Sequence, residues 1–284
     1  MAALPRHEIA EFVRSALAED IGAGDVTSLA TIPEGTIARA AMVARVDLVA
    51  AGLDLAETAF RELSNDVRIE RQAADGDVRS AGSTLLEITG PAVAILGAER
   101  VALNCVQHLS GVATLTAAFV RAVAGTGARI LDTRKTLPGW RRLEKYAVRC
   151  GGGTNHRQGL SDLVLIKDNH LAALAGAAPN PVSAAVSRAR GRFPYLKVEV
   201  EADTLDQVRL ALDAGADIVL LDNMTLGQLR EAVALCRGRA LTEASGGVRL
   251  DTVRAIAETG VDFISVGALT HSAPAVDIGL DFPP

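Results

Sequence analysis

The chain is poor in lysine, in aromatics and in cysteine. Four lysines stand against 25 arginines among 284 residues, an imbalance read as genome composition, and Phe, Trp and Tyr together make up 3%. So few aromatics put the core on Ala, Val, Leu and Ile and leave little with which to stack bases. With a net charge of -5, this argues against nucleic acid as a partner. Cys105, Cys150 and Cys236 are far apart. They form no CxxC and no Cys/His metal spacing, and an odd count excludes a disulfide framework, so they read as reduced thiols of a cytoplasmic protein. No apolar run approaches membrane-spanning length. At the N-terminus Ile9, Phe12, Val13, Ala16 and Leu17 have helical spacing rather than the continuous run of a signal peptide, and Pro5 suits a first turn. Asn223 to Thr225 is a glycosylation sequon by pattern alone. No membrane partner is expected.

What the chain does have is a cationic block, Asp132 to His170 (DTRKTLPGWRRLEKYAVRCGGGTNHRQGLSDLVLIKDNH). Three of the four lysines, Lys135, Lys145 and Lys167, lie in it, with Arg134, Arg141, Arg142, Arg149, His156 and Arg157. A concentration of positive charge in an acidic protein points to an anion with several charges. Arg141, Arg142, Lys145 and Arg149 have helical spacing and read as a solvated face. The triple glycine lacks the Gly-Lys-Ser/Thr ending of a phosphate-binding P-loop. His7, His108 and His170 read as structural.

The pattern along the chain divides near residue 112. Before it, short β-like runs (36–45, 66–70 and 83–88) are separated by turn signals. A long helix follows from about Leu96 to Val123, with a bend expected at Ser110-Gly111. Afterwards short Val/Ile/Leu runs alternate with helical segments: 128–132, 163–167, 197–201, 217–222, 241–245 and 263–267, with a short seventh run at 152–156. Such alternation predicts buried parallel strands in βα units. The fold class is therefore α/β, an incomplete barrel, with a doubly wound sheet as the alternative.

Barrels place chemistry at the C-terminal ends of their strands. Here those ends carry Arg134 and Lys135, Lys167, Glu201, Asp222, Ser245 and Gly267. Ser245-Gly246-Gly247 and Gly267 precede helical segments, where glycines let backbone N–H groups approach a phosphate; an ordinary turn is the plainer reading. Glu201 and Asp222 suit Mg²⁺, or a salt-bridge pair with nearby cations. Glu199 shares a strand face with Glu201 and stays open as an accessory. Lys167 fits either a Schiff-base lysine or an anion ligand, and its cationic neighbours favour the anion. His156-Arg157 suits carboxylate recognition, since a guanidinium matches a carboxylate bidentately.

The block resembles the signature of the quinolinate phosphoribosyltransferase family, the carboxylating nicotinate-nucleotide pyrophosphorylases. EDIGAGDVTS, ERVALNCVQHLSGVAT at 99–114, EVEADTL at 199–205, LLDNMT at 220–225, EASGGV at 243–248 and VGALTHSAPAVDIGLDF at 266–282 resemble the same family, in order. Gln158 and Trp140 depart from it, at positions where an apolar residue and leucine are usual. The resemblance implies an N-terminal α/β sandwich over 1–112, with 273–284 packing back on it, and an incomplete seven-stranded α/β barrel over 113–272. It also implies a homodimer, or a multiple of dimers, in which Arg100 reaches the neighbour's site.

The implied reaction moves phosphoribosyl from phosphoribosyl pyrophosphate to quinolinate with decarboxylation, in NAD biosynthesis. By resemblance, Arg100, Thr133, Arg134, Lys135, His156, Arg157 and Lys167 bind quinolinate. Lys135, Lys167, Glu201, Asp222, Ser245, Gly246, Gly247, Gly267, Ala268 and His271 bind phosphoribosyl pyrophosphate. Lys135, Lys167, Glu201 and Asp222 are catalytic, and Glu201 and Asp222 hold Mg²⁺, directly or through water, with no organic prosthetic group. Three other readings stand beside it: a molybdenum-transport-associated paralogue of the same fold, expected to lack the intact CGGG…NHR and IKDNH runs; a Schiff-base aldolase using Lys167; and a silent metabolite-binding barrel, in which strand-end carboxylates or lysines would be lost.

Overall fold

Residues 37–44 (IARAAMVA) alternate, burying Ala40, Met42 and Ala44 on one side while Ile37 and Arg39 stay exposed. That period of two makes a half-buried strand of an antiparallel sheet. The computed structural model describes residues 3–282. Its chain forms two compact units. One comprises residues up to Ala117, Leu137–Gly152 and those from Leu269 onward; the other comprises Ala118–Thr136 and Gly153–Ala268. Along the chain the boundary falls after Ala117, and residues 137–152 belong to the first unit.

In the first unit, α1 (Arg6–Ile21) and α2 (Val26–Thr31) precede β1 (Ile37–Ala44), β2 (Leu48–Val49), α3 (Leu53–Leu63), β3 (Arg68–Arg71), β4 (Val78–Arg79) and β5 (Thr84–Pro91). The chain then enters α4 (Ala92–Ala122). Strands β1, β5 and β3 form a sheet that the last strand, Ile278–Asp281, extends by pairing antiparallel with β1. Short β2 and β4 pair separately.

Helix α4 is a single 31-residue α-helix, so the bend expected at Ser110-Gly111 gives way to a packing role. The Ser110 hydroxyl accepts from the Ala51 N–H at 3.0 Å. A Cβ on Gly111 would stand 2.1 Å from the Pro274 carbonyl oxygen. Both residues were kept small for close approach, not for flexibility. By length and composition α4 could cross a membrane, contrary to the sequence reading, but its apolar window is 61% buried inside the protein, as in a core helix.

The second unit holds β6 (Arg129–Leu131), then, beyond α5 (Arg141–Cys150) of the first unit, β7 (Val164–Ile166), α6 (Asp168–Ala172), α7 (Pro181–Arg192) and β8 (Val198–Ala202). It continues with α8 (Leu205–Asp213), β9 (Ile218–Asp222), α9 (Leu226–Cys236), β10 (Leu241–Ser245), α10 (Val253–Ala257) and β11 (Phe263–Ser265); α11 (Ala268–His271) and β12 (Ile278–Asp281) end the chain. The helices start where their sequences say. Asn180 caps α7, and Thr204 with Gln207 and Thr225 with Gln228 form capping boxes on α8 and α9, satisfying N–H groups the helices cannot.

The six strands form one parallel sheet in the order β6-β11-β10-β9-β8-β7. First and last strands pair, as in a barrel. On the other side of β6 lies an isolated bridge between Leu131 and Thr154. The expected seventh run at 152–156 is thus a single bridge residue, and the described ladders stop between it and β7. Register puts Glu201, Leu220, Glu243 and Phe263 side by side, and Asp222 beside Ser245. Neighbours in register share a sheet face, so the strand-end carboxylates of β8, β9 and β10 point the same way.

Candidate active site

Two residues beyond β6 the chain turns sharply. The Lys135 N–H donates to the Thr133 hydroxyl at 3.0 Å, and the Thr136 N–H to the Arg134 carbonyl at 3.0 Å. This tight turn fixes Arg134, half-buried, and Lys135, exposed, at the C-terminal end of the strand. Its base is Asp132, fully buried. The Asp132 carboxylate accepts from the His156 backbone N–H at 2.8 Å and from the Asn155 amide at 2.5 Å. One buried acid thus joins the turn after β6 to the His156-Arg157 segment. Sequence reasoning gave Asp132 no role, because an acid at a strand end looks like any other strand-end polar residue.

Arg157 lies half-buried beside Arg134. Burial lowers the Arg157 pKa from its ordinary value, and the Arg134 charge lowers it further. Two guanidinium groups held close at partial burial repel each other, and a bound dianion relieves that repulsion.

On the neighbouring strands, Lys167 follows β7 and its Nζ lies 2.9 Å from the Glu201 carboxylate of β8. The Lys167 backbone N–H donates to Nδ1 of His170, so His170 pins the turn into α6. Lys167 is exposed and paired with a carboxylate, the surroundings of an anion-binding cation and not the desolvated pocket that activates a Schiff-base lysine. At the end of β9 the Asp222 carboxylate accepts from the Asn223 side chain at 2.6 Å. Asn223 has positive φ, 53°, and its N–H donates to the Ser245 carbonyl at 3.0 Å. A Cβ on Gly246, at φ 92°, would sit 2.1 Å from Asn223 Oδ1. Gly246 is therefore required by its neighbour Asn223, whereas Gly247, at φ 58°, faces open space. Gly267 and Ala268, half-buried, follow β11.

Beneath this rim the strands carry charge inward. Glu199 of β8 and Glu243 of β10 are fully buried, and His156 lies with its Nε2 3.1 Å from one carboxylate and 3.4 Å from the other. Glu199, left open as an accessory, lies here with its carboxylate toward His156. Glu243 was missed: it lies inside the EASGGV run, and only register shows that it points inward. The ligand atoms of the three lie within 4.8 Å of one another, close enough for a metal ion. The ring argues for a proton instead. The Arg157 N–H donates to Nδ1 at 2.6 Å, which puts a proton on Nε2, facing the carboxylates. Burial pulls the His156 pKa down, but hydrogen bonds and charge from Glu199 and Glu243 outweigh it and push it up to about 10. Taking a second ring proton requires the Arg157 N–H to turn away from Nδ1. Burial holds Glu199 above the usual carboxylate range, His156 pulls it back, and Glu243 pushes it up again.

The remaining sequence candidates lie in the first unit. Arg100 is exposed on α4 and lines a pocket of about 460 Å³ with Glu19, Asp20, Asn104 and Trp140. His271 ends α11 and pairs with the Ser272 hydroxyl at 2.6 Å. The solvated face expected on α5 holds for Arg142 and fails for Lys145, which is fully buried. Glu144 beside it is also buried, accepting from the Leu137 N–H and pairing with His108 at 2.9 Å. Of the triple glycine, Gly151 serves packing, since its Cβ would meet the Ala113 carbonyl at 2.3 Å.

Comparison with known proteins follows the same lines. The model of the quinolinate phosphoribosyl transferase C-terminal domain matches residues 112–281, and that of the N-terminal domain matches 25–110. The chain is 46% identical over 275 residues to a nicotinate-nucleotide pyrophosphorylase [carboxylating] of Mycobacterium leprae, covering 95% of each chain. It is 42% identical to a probable enzyme of the same name from Bacillus subtilis, over 93% of this chain and 89% of that one. A solved nicotinate-nucleotide pyrophosphorylase from Francisella tularensis superposes with a TM-score of 0.93 at 39% identity, covering 99% and 98% of the two chains. With both domain models matched end to end and the fold shared, the chain belongs to the quinolinate phosphoribosyltransferase family.

Proposed function

We propose that the protein transfers the phosphoribosyl group of phosphoribosyl pyrophosphate to quinolinate and releases pyrophosphate and CO₂, forming nicotinate mononucleotide. The observation that carries this reading is the half-buried pair Arg134 and Arg157, set beside a strand-end rim of Lys135, Lys167, Glu201 and Asp222. A pyridine dicarboxylate needs two cationic contacts, and the paired guanidiniums supply them with fixed geometry. Thr133 completes that side; the ring of His156, expected there from the sequence, faces Glu199 and Glu243 instead. Lys135 and Lys167 stand where carboxylate and pyrophosphate meet. Ser245, Gly246, Gly247, Gly267, Ala268 and His271 take the 5′-phosphate, Gly247 by the open backbone approach its φ allows.

The carboxylates of Glu201 and Asp222 are hard oxygen donors at adjacent strand ends and fit Mg²⁺, which favours such ligands and keeps waters and substrate phosphates around it. When bound, the ion supplies charge neutralisation on the departing pyrophosphate. The protein's own groups do the rest. Lys135 and Lys167 stabilise the leaving charge. Glu201 and Asp222 stabilise positive charge building at the ribosyl C1. Arg134 and Arg157 hold the ring so that its nitrogen faces C1 from the side opposite pyrophosphate. Once the C1–N bond has formed, the cationic ring accepts the electron pair left at C2 as CO₂ departs, and C2 then takes a proton. Arg100, exposed on α4, is assigned to the site of a second subunit, which makes the working unit a homodimer or a multiple of one. The protein is placed in the cytoplasm, where all the reactants are small soluble anions.

The test is direct. Purified protein with quinolinate, phosphoribosyl pyrophosphate and Mg²⁺ yields nicotinate mononucleotide and CO₂, and nicotinate in place of quinolinate yields neither. Borohydride trapping of a carbonyl substrate on Lys167 would overturn the assignment in favour of an aldolase.

A further inference from the structure

Barrel interiors are ordinarily filled by branched apolar side chains. At one level of this unit Glu199, Glu243 and His156 take that place. Both acids are fully buried, and both face the same ring nitrogen, Nε2, at 3.1 Å and 3.4 Å. Apart from these ion pairs, the oxygens of Glu199 and Oε1 of Glu243 have no hydrogen-bond partner. Two buried acids on one base destabilise a fold compared with apolar residues of the same size. Stability therefore does not account for them. What they hold is the ring of His156, the residue that precedes Arg157 in the turn. From the other side Asp132 grips the His156 N–H. The turn that carries Arg157 is thus fixed by the ring at one point and by Asp132 at another.

We propose that Glu243, with Glu199, is a positioning residue for the dicarboxylate substrate: the pair clamps His156 from inside the barrel, and His156 sets the turn that presents Arg157. The inference rests on the function proposed above and adds to it residues that touch no substrate. Orientation requires an acceptor for the Nε2 proton, and a carbonyl oxygen serves as well as a carboxylate.

The experiment compares wild type, E243L and E243Q in steady-state kinetics with each substrate varied in turn, together with thermal unfolding. E243L is expected to raise KM for quinolinate about tenfold to a hundredfold, the range set by loss of a hydrogen bond to a charged group. KM for phosphoribosyl pyrophosphate should move less than threefold, and the unfolding midpoint should stay level or rise. E243Q should restore most of the quinolinate affinity, since its amide oxygen accepts the same proton. Should E243L not fold, E199M tests the same clamp from β8. A quinolinate KM within twofold of wild type in E243L overturns the proposal, as does a parallel rise in both KM values with a lower midpoint. A wild type that makes no nicotinate mononucleotide defeats the functional reading itself; an active wild type with an unaltered E243L defeats the clamp alone.

Discussion

The strands of the second unit carry charge at two levels, and the two are built to different rules. At the rim, Lys167 and Glu201 pair at 2.9 Å with the lysine exposed. Further inside, His156 lies between Glu199, one residue pair before Glu201 on β8, and Glu243, with all three largely out of water. Water reaches Lys167 and screens that end of the pair, so holding the cation there costs the fold little and it remains available to a ligand. The lower charges are unscreened: each depends on its partner, and removing the base leaves two acids without one. A ligand-facing cation and a structural cation thus differ less in residue type than in depth.

That difference predicts the largest effect on stability. H156A should lower the free energy of unfolding by about 3–5 kcal/mol, because the two acids lose the base that pairs with both; urea unfolding measures it. The same cluster sets a pH dependence. His156 has a folded pKa raised from 6.5 to about 10, so the folded state binds its proton more tightly than the unfolded chain does. Its contribution is complete below the unfolded value, near pH 6.5, and is lost as pH rises through about 10. The urea midpoint should therefore fall between pH 7 and 10.5 in wild type, and this fall should shrink in H156Q. A midpoint flat across that range would mean that His156 is neutral at pH 7.

At the rim the balance reverses, with large effects on rate and small ones on stability. R157A and K135A should each lower kcat/KM by a factor equivalent to about 2–4 kcal/mol, the scale for removing one preorganised group that stabilises developing or bound charge. Wild-type kcat/KM for quinolinate in either variant would remove that residue from the site. At the rim, just past the end of β10, stands Gly246. G246A places a Cβ against Asn223 in a backbone conformation that L residues avoid, at a cost of about 1–3 kcal/mol. Because Asn223 carries the hydrogen bond to Asp222, the loss should appear in KM for phosphoribosyl pyrophosphate as well as in the unfolding midpoint.

The depth of a charge is also what the sequence hides. Each strand run is readable, and the polar residue that closes it follows by counting; so Lys167, Glu201, Asp222 and Ser245 stand at strand ends, as the pattern of apolar runs implied. The VEVE alternation of β8 already puts Glu199 on the face of Glu201. Glu243 has no such signal. Its strand, LTEAS, mixes small and polar residues, and the inward direction emerges only from its register with Leu220 and Glu201. Lys145 shows the opposite failure. Helical spacing of Arg141, Arg142, Lys145 and Arg149 reads as a wet face, yet Lys145 is fully buried, because what covers a helix is decided by elements distant in sequence. Ser110-Gly111 reads as a bend for the same reason: a small residue can permit flexion or close approach, and only the position of Pro274 chooses between them.

The smallest predicted change in stability gives the cleanest separation of the two levels. Glu201 is itself mostly covered, with 12% of its side chain exposed, but among the described residues its ion-pair partner is the half-exposed Lys167, and a pair with one member in water is worth about 1 kcal/mol or less. E201Q should therefore leave the urea midpoint nearly unchanged while lowering kcat/KM steeply, since the amide can neither hold a cation nor offset charge at C1. Its counterpart E243Q should do the reverse of a rim variant: little change in turnover and, because a buried charge is gone, no loss of stability. If E201Q destabilised the protein as much as H156A does, the rim charge would be structural too, and the distinction between a solvated charge kept for a ligand and a buried charge kept for its partner would not hold for this fold.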